Sequence, residues 1–193
     1  MKKNIISLII ILFFFLFSSQ LIASDKAWSL AQEGNKIILI RHSLAPGGGD
    51  PSGFKLNDCK TQRNLNRTGI KQSKQIGKLF KKNKVPVDQV LSSQWCRCKD
   101  TAKYAFKKYK TFDALNSFFS PKFQKNKQRQ IIELSKYLNN WQSEKNLILV
   151  THYVVILEKL NKAVSSGEIV VVDKKLNFLG SIIEKTSSSF PRK

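Results

Sequence analysis

KIILIRHS, residues Lys36–Ser43, is a branched apolar run that ends in an arginine and a histidine. A second run of the same shape, NLILVTHY at Asn146–Tyr153, carries the only other histidine of the chain. Apolar runs of this length between polar residues are typical of strands buried on both faces of a parallel sheet. Ligands of such sheets bind beyond the carboxyl ends of the strands. The sequence therefore predicts that Arg41, His42 and His152 lie together at one ligand-binding edge.

Strand and helix patterns alternate along the rest of the chain. Further strands are predicted at Val87–Leu91, Asn146–Thr151, Glu168–Asp173 and Asn177–Glu184, the last two as a hairpin. Helices are predicted at Ala27–Glu33, Arg67–Lys82, Trp95–Lys108, Gln128–Trp141 and Val154–Lys162. Phe112–Phe119 is predicted as a short strand and loop, and the glycine-rich stretch Ala45–Phe54 as irregular. This alternation predicts a three-layer α/β/α domain with a mostly parallel central sheet.

The first 24 residues have the pattern of a secretory signal peptide. Lys2 and Lys3 precede the apolar stretch Ile5–Phe17, and a polar, small-residue segment follows it. An uncleaved membrane anchor is the alternative, but this run is shorter than the roughly 20 residues that a spanning helix needs. We therefore expect a signal peptide at 1–24, a single domain at 25–193, a periplasmic or secreted location, and no stable membrane anchor after cleavage.

The chain is strongly basic, with 34 Lys and Arg against 13 Asp and Glu, a formal net charge of +21. A basic surface attracts phosphates, nucleic acids and anionic membranes. The lysines are spread through the predicted helices and loops, without an arginine stripe or a nucleic-acid-binding motif. We therefore expect no nucleic-acid partner, and a basic protein that binds anionic envelope polymers remains an alternative function.

Three cysteines, Cys59, Cys96 and Cys98, agree with an oxidising compartment. Cys96 and Cys98 are too close in sequence to favour a bridge with each other, so we expect a disulfide from Cys59 to one of them. Three thiols without zinc-ligand spacing and without a nearby histidine do not indicate a metal site. Neither a metal nor another cofactor is expected.

Arg97 completes a candidate anion site. It follows the predicted strand Val87–Leu91 and lies in the first turn of the next helix, where unpaired N–H groups and the helix dipole favour an anion. Two arginines and two histidines without a carboxylate partner suit a divalent metal poorly. Guanidinium groups instead pair with phosphate oxygens in a bidentate way, which indicates a phosphoryl ligand.

Three motifs in these positions resemble the signatures of the histidine phosphatase superfamily, the phosphoglycerate mutase-like proteins. They read RHSLA at Arg41–Ala45, SSQWCRCKDTA at Ser92–Ala102 and VTHY at Val150–Tyr153. The segment Pro46–Leu65 is similar to that of small exported bacterial members. The resemblance covers roughly residues 37 to 156, most of the predicted domain.

The resemblance implies a phosphatase that works through a phosphohistidine intermediate. His42 would attack phosphorus, and water would then hydrolyse the intermediate. Arg41, Arg97 and His152 would hold the phosphoryl oxygens. Arg63 and Ser43 are further candidates for substrate binding. A backbone carbonyl that holds the proton of one His42 nitrogen would leave the other free to attack.

Two departures from the family pattern bear on the chemistry. Ser43 stands where the family usually has glycine, which asks more of the turn after the nucleophile. Many members place an acid after the region that reads ALNSFF here, Ala114–Phe119, to protonate the leaving group. Asp50 and Asp58 are candidate substitutes.

The expected activity is hydrolysis of a phosphomonoester or a phosphoramidate. The expected partner is a small phosphorylated substrate or a phosphorylated envelope component. A non-catalytic relative that only binds phosphorylated ligands remains an alternative, since Ser43 and the missing acid both weaken the catalytic pattern.

Overall fold

A six-stranded mixed sheet forms the centre of residues 24–183, the part of the chain that the computed structural model describes. Its strands are β1 (Ile37–Arg41), β2 (Val87–Ser92), β3 (Lys110–Thr111), β4 (Asn146–Thr151), β5 (Ile169–Val172) and β6 (Phe178–Ile182). They are ordered β3-β2-β4-β1-β5-β6. The first four in this order are parallel, whereas β5 runs antiparallel to β1, and β6 to β5.

Helices precede β1 and lie between several of the later strands. They are α1 (24–32), α2 (Arg67–Lys82), α3 (Cys96–Phe106), α4 (Pro121–Gln124), α5 (Lys127–Asn140) and α6 (Tyr153–Leu160). Single 3-10 turns lie at Cys59–Thr61 and Asp113–Leu115. Helix α2 begins after Asn66, whose side chain accepts a hydrogen bond from the N–H of Gly69.

The sheet buries both of its faces. Ile38 and Ile40 belong to a core that includes residues of α1, α2 and α3. Ile37 and Leu39, which alternate with them, belong to a second core with residues of α5 and α6. Two apolar faces covered by helices explain why β1 and β4 are continuous apolar runs. The predicted three-layer α/β/α architecture is confirmed.

Helices α2 and α3 cross very closely. A methyl group added at Gly77 of α2 would collide with the backbone carbonyl of Ala105 in α3. Gly69, in the first turn of α2, lies equally close to the carbonyl of Leu44. The two glycines therefore let α2 pack against α3 and against the segment that follows β1, which fixes the chain around His42.

The structure differs from the sequence-based prediction mainly around Phe112–Phe119. Instead of a strand and loop within this stretch, the strand is Lys110–Thr111 and the stretch itself contains the 3-10 turn Asp113–Leu115. The short helix α4 that follows is not predicted from the sequence. Helix α3 ends at Phe106 rather than Lys108, because Lys107 takes a positive φ of 67°.

The predicted signal peptide lies outside the described residues, except for Ser24, which begins α1. Within residues 24–183, no helix combines the length and the apolar character needed to cross a bilayer.

Candidate active site

Three neighbouring parallel strands bring the predicted site residues to one edge of the sheet. Arg41 ends β1 and is followed by His42, and Thr151 ends β4 and is followed by His152. Arg41 pairs with Thr151 in the register of the two strands, and the His42 N–H donates to the Thr151 carbonyl at 2.9 Å. The imidazole rings consequently lie with their centroids 5.5 Å apart.

His42 is held as a neutral imidazole with a defined tautomer. Its Nδ1–H donates to the backbone carbonyl of Ser43 at 2.8 Å, since a carbonyl can only accept. Its Nε2 accepts from the Nε–H of Arg97 at 3.2 Å. Burial, followed by the charge of Arg97, holds the pKa of His42 well below its usual range. The Nε2 lone pair is therefore available at neutral pH.

His152 is fixed through a relay that sequence reasoning did not identify. The Ser93 hydroxyl donates to Oδ1 of Asn116 at 3.0 Å and therefore accepts from His152 Nε2–H at 2.8 Å. His152 Nδ1 then faces Nη2 of Arg97, at 3.4 Å. Burial and the charge of Arg97 lower the pKa of His152 well below its usual range. Asn116, in the stretch Ala114–Phe119, thus orients His152 through the Ser93 hydroxyl.

Arg97 is the central cation of the site and is 3% exposed. Besides its contacts with the two imidazoles, its Nη1 forms an ion pair with Asp50 Oδ1 at 2.8 Å. The Asp50 carboxylate also accepts from the backbone N–H of Arg63 at 3.0 Å and from Nε1–H of Trp95 at 3.0 Å. Both oxygens of this carboxylate therefore act as hydrogen-bond acceptors. This arrangement argues against Asp50 as a proton donor and favours a role in fixing Arg97.

Arg41 and Arg63 add two more guanidinium groups to the same cavity. Arg41 donates from Nη1 to the carbonyl of Val164 at 2.7 Å, and its guanidinium lies 5.4 Å from the ring centroid of Tyr153. Arg63 donates from Nη1 to the carbonyl of Ala45. The Nε atoms of both arginines are buried and have no hydrogen-bond partner within residues 24–183. Both therefore retain donors for an anion, and burial lowers the pKa of both groups.

The sequence of this chain matches one known protein family. The family model of the histidine phosphatase superfamily, branch 1, matches residues 37–147, which is more than half of the chain. The chain belongs to the histidine phosphatase superfamily. No curated protein sequence matches it.

Solved structures of this superfamily share the fold at low sequence identity. The protein histidine phosphatase SixA complexed with tungstate is 17% identical, with a TM-score of 0.55 over 76% of this chain and 96% of that one. A phosphoglycerate mutase from Thermus thermophilus is 16% identical, with a TM-score of 0.54 over 78% and 99% of the two chains. A mycobacterial glucosyl-3-phosphoglycerate phosphatase in complex with VO3 is 12% identical, with a TM-score of 0.53 over 72% and 92%.

Ser43 is predicted from the sequence to bind substrate. In the structure it packs inside the protein, away from the cavity. It is fully buried and does not line the cavity. Its hydroxyl is hydrogen-bonded to Ser73 Oγ at 2.8 Å, and its N–H donates to Thr101 Oγ1 at 3.0 Å. Its φ is not positive, so the turn after His42 does not require glycine. The serine substitution therefore gives no ground for a non-catalytic protein.

Asp58, the second candidate acid, is exposed and lies outside the cavity lining. Its carboxylate caps the 3-10 turn Cys59–Thr61 by accepting from the N–H of Lys60 at 3.0 Å. This position corrects the expectation that Asp58 replaces the missing acid. Its neighbours in sequence do not by themselves indicate this capping role.

A disulfide joins Cys59 to Cys96, the first residue of α3, whereas Cys98 is a free, buried thiol. Burial raises the pKa of Cys98 to about 12, so it is not a nucleophile at neutral pH. The N–H of Cys96 also donates to Gln62 Oε1 at 3.0 Å. The segment before α2 is therefore attached to the start of α3, one residue before Arg97.

The cavity above these groups has a volume of about 570 Å³. The base of the cavity is formed by His42, His152, Arg41, Arg63 and Arg97. The rim is formed by the loop 47–54 on one side and by residues 117–123 on the other. Within residues 24–183, no group of three or more His, Cys, Asp and Glu is arranged to hold a metal ion.

Proposed function

We propose that this chain is a phosphatase in which Nε2 of His42 accepts the phosphoryl group. The observation that carries the proposal is the fixed orientation of His42. Its Nδ1 proton is held by the Ser43 carbonyl, while Nε2 lies in a cavity with three guanidinium groups. Two of the structural relatives, SixA and the mycobacterial enzyme, are themselves described as phosphatases.

The first step forms a bond between Nε2 and phosphorus while the bond from phosphorus to the leaving group breaks. The leaving group departs with the bonding electrons. Arg97 Nε–H, which donates to Nε2 in the structure, then donates to a phosphoryl oxygen. Arg41 and Arg63 supply further donors to the oxygens as negative charge develops on them.

In the second step, water attacks phosphorus and the bond to Nε2 breaks. The electron pair of that bond returns to Nε2, and both hydrogens of the water leave with the phosphate or the solvent. His42 is regenerated in its neutral form, with Nδ1–H still held by the Ser43 carbonyl. His152 Nδ1 lies beside Arg97 and helps to define where the phosphoryl oxygens sit.

The carboxylates that line the cavity determine whether the leaving group can receive a proton. Among the described residues that line it, Asp50 is the only carboxylate, and it accepts three hydrogen bonds. A leaving group therefore departs without a proton from a carboxylic acid. Phosphohistidine, whose imidazole leaves as a neutral group when its other nitrogen carries a proton, aryl phosphates and acyl phosphates suit this site better than esters of simple alcohols.

Hydrolysis of 4-nitrophenyl phosphate by the wild type and by His42→Ala tests the assignment. We expect the variant to lose essentially all turnover, and rapid quenching in alkali to trap an alkali-stable, acid-labile phosphoprotein in the wild type only. Ile132→Ala, an exposed substitution on α5, is the control for folding. If His42→Ala still turns over substrate, His42 is not the nucleophile. Binding of substrate by the wild type without any turnover would instead favour the non-catalytic alternative.

We also propose that the phosphatase acts in the periplasm or outside the cell. The amino-terminal pattern of residues 1–24 and the Cys59–Cys96 disulfide support this location. Cell fractionation, with mass spectrometry of the mature amino terminus, tests it. An intact Met1 on cytoplasmic protein would contradict it.

A further inference from the structure

One wall of the cavity is built from aromatic rings. Trp95 packs against His152 at the base, with ring centroids 5.4 Å apart. The rings of Phe54 and Phe123 lie 5.8 Å and 5.2 Å from that of Trp95, and 5.8 Å from each other. The aromatic surface therefore continues from the phosphoryl-binding groups to the rim.

Phe119, on the side of residues 117–123, is a further aromatic ring of the cavity lining. It lines the cavity and yet is 62% exposed, the largest exposed fraction among the large apolar side chains that the structure describes. This ring contributes little to the core, because most of its surface remains in contact with water. As part of the cavity lining, the ring is available to contact a bound ligand.

The polar side chains of the cavity are poorly suited to form hydrogen bonds with the hydroxyl groups of a sugar. Asp50 and Arg97 are engaged with each other, and the remaining hydrogen-bonding side chains above the base are hydroxyls of Ser52, Ser117, Ser120 and Tyr153, with Lys122 at the rim. Neither Asn nor Gln is found among the described lining residues. A polyol would lose hydration without gaining matched partners, whereas a flat aromatic group would replace water on an apolar surface.

We propose that this wall is a leaving-group subsite that binds an aromatic ring, so that the preferred substrates carry the phosphoryl group on an aryl or heteroaryl ring. The inference rests on the proposed function, since His42 sets where the phosphoryl group lies. The ring of the leaving group packs against the aromatic rings that line the cavity above the base, which are Phe54, Phe119 and Phe123. Aromatic leaving groups also depart as stabilised anions, which agrees with the absence of a free carboxylic acid in the described lining.

Binding of non-hydrolysable phosphonates tests the subsite without requiring turnover. We expect phenylphosphonate to bind the wild type at least tenfold more tightly than methylphosphonate, as measured by calorimetry. Phe119→Ala should weaken phenylphosphonate by roughly two- to tenfold, the range of an aromatic pair, and leave methylphosphonate unchanged. Phe178→Ala, which removes another exposed ring outside the cavity lining, is the matched control and should change neither.

Turnover with matched leaving groups separates ring recognition from leaving-group acidity. Phenyl phosphate and hexafluoroisopropyl phosphate release alcohols of similar acidity, but only the first carries a ring. We expect a higher kcat/KM for phenyl phosphate, and a loss of this preference through KM in Phe119→Ala. Glucose 1-phosphate tests the sugar alternative, and a preference for it would overturn the inference.

The two experiments fail in different ways. Equal binding of the two phosphonates would refute the subsite even if His42-dependent turnover is observed. Selective binding of phenylphosphonate without turnover would keep the subsite and refute the proposed function. A preference for free aryl phosphates over a phosphotyrosine peptide, or the reverse, then shows whether the ring belongs to a small molecule or to a protein.

Discussion

At the scale of single residues, the two histidines share a sequence context and differ in their hydrogen bonds. His42 donates its Nδ1–H to a backbone carbonyl and presents Nε2, whereas His152 directs Nε2 to Ser93 and presents Nδ1. Each imidazole therefore offers one unprotonated nitrogen toward Arg97. The difference arises from the neighbours of each ring, which the matching strand patterns do not reveal.

Both histidines should remain neutral well into the acidic range. Burial and the charge of Arg97 lower the pKa of His42 and of His152. The chain has only these two histidines, so an NMR titration of the untagged protein gives two sets of imidazole signals. We expect neither to shift between about pH 8 and pH 6, across the ordinary imidazole value of about 6.5.

The lowered pKa values of the two histidines also make the stability of the fold depend on pH. Below about pH 6.5, His42 and His152 bind protons in the unfolded chain but stay neutral in the folded chain. The free energy of unfolding should therefore fall as the pH drops below this value, and denaturant unfolding at two pH values measures the change. Adding inorganic phosphate should raise both pKa values, since an anion offsets the guanidinium charges. Imidazole signals that titrate near pH 6.5 would contradict the described environment.

Asp50→Asn should separate a positioning role from acid catalysis. The carboxylate anchors Nη1 of Arg97, so its loss should misalign Arg97 and reduce kcat by roughly ten- to hundredfold without raising KM. A positioning role predicts the same relative loss for phenyl phosphate and for 4-nitrophenyl phosphate. If Asp50 donated a proton, the loss would be larger for phenyl phosphate, the poorer leaving group. Steady-state kinetics with both substrates distinguish the two roles.

At the scale of elements, the site depends on how α3 is attached to the segment before α2. The Cys59–Cys96 disulfide and the bond from Cys96 N–H to Gln62 act on the first residue of α3. Arg97 follows directly, and Asp50 and Arg63 lie on the attached segment. The relative position of these charged groups is therefore set by the contact between two elements that are distant in sequence.

Cleaving this disulfide should lower stability and activity together. A bridge of 37 residues in sequence separation contributes roughly 2–4 kcal/mol, which corresponds to a fall in Tm of about 5–15 °C. Thermal unfolding and phosphatase assays with and without a thiol reductant measure the effect in the wild type. Cys59→Ser is the matched control, because the reductant should no longer change it. A wild type that is fully reduced, by thiol titration, and equally stable would contradict the prediction.

The sequence predicts the sheet elements and the convergence of Arg41, His42, Arg97 and His152, but not their supporting contacts. Strands β1 and β4 are recognisable because both faces are buried, and α2 because Asn66 caps an amphipathic run. The relay from Asn116 through Ser93 and the ion pair of Asp50 are formed by irregular segments. Such segments carry no periodicity, so their partners are fixed only when the sheet has assembled.

The disulfide partner of Cys59 is another feature that the sequence does not determine. The spacing favours a bridge from Cys59 without choosing its partner. In the structure, Cys96 lies at the start of α3 next to the segment that carries Cys59, whereas Cys98 Sγ faces the carbonyl of Thr151 at 3.6 Å. The orientation of α3 on the sheet decides the pairing, and no local pattern encodes that orientation.

At the scale of the whole molecule, the excess of 34 Lys and Arg over 13 Asp and Glu should attract anionic substrates to the protein. We expect KM for a dianionic substrate to rise with ionic strength, since about 0.1 M salt screens charges beyond roughly 10 Å. The value of kcat should stay constant, because His42, Arg97 and His152, which act on bound substrate, are buried. Steady-state assays in sodium chloride and in sodium acetate at equal ionic strength exclude competition by one anion. A KM that does not depend on salt would contradict steering by the overall charge.

The Asp50 carboxylate also determines which anions the base of the cavity can hold at electroneutrality. Arg41, Arg63 and Arg97 together with Asp50 leave two positive charges beside two neutral imidazoles. A phosphoryl dianion balances them completely, whereas the monoanion of an aryl sulfate of the same shape leaves one charge unmatched in a poorly solvated place. We therefore expect the site to prefer a phosphoryl dianion to an aryl sulfate monoanion because of the difference in charge, although the two tetrahedral groups have nearly the same size.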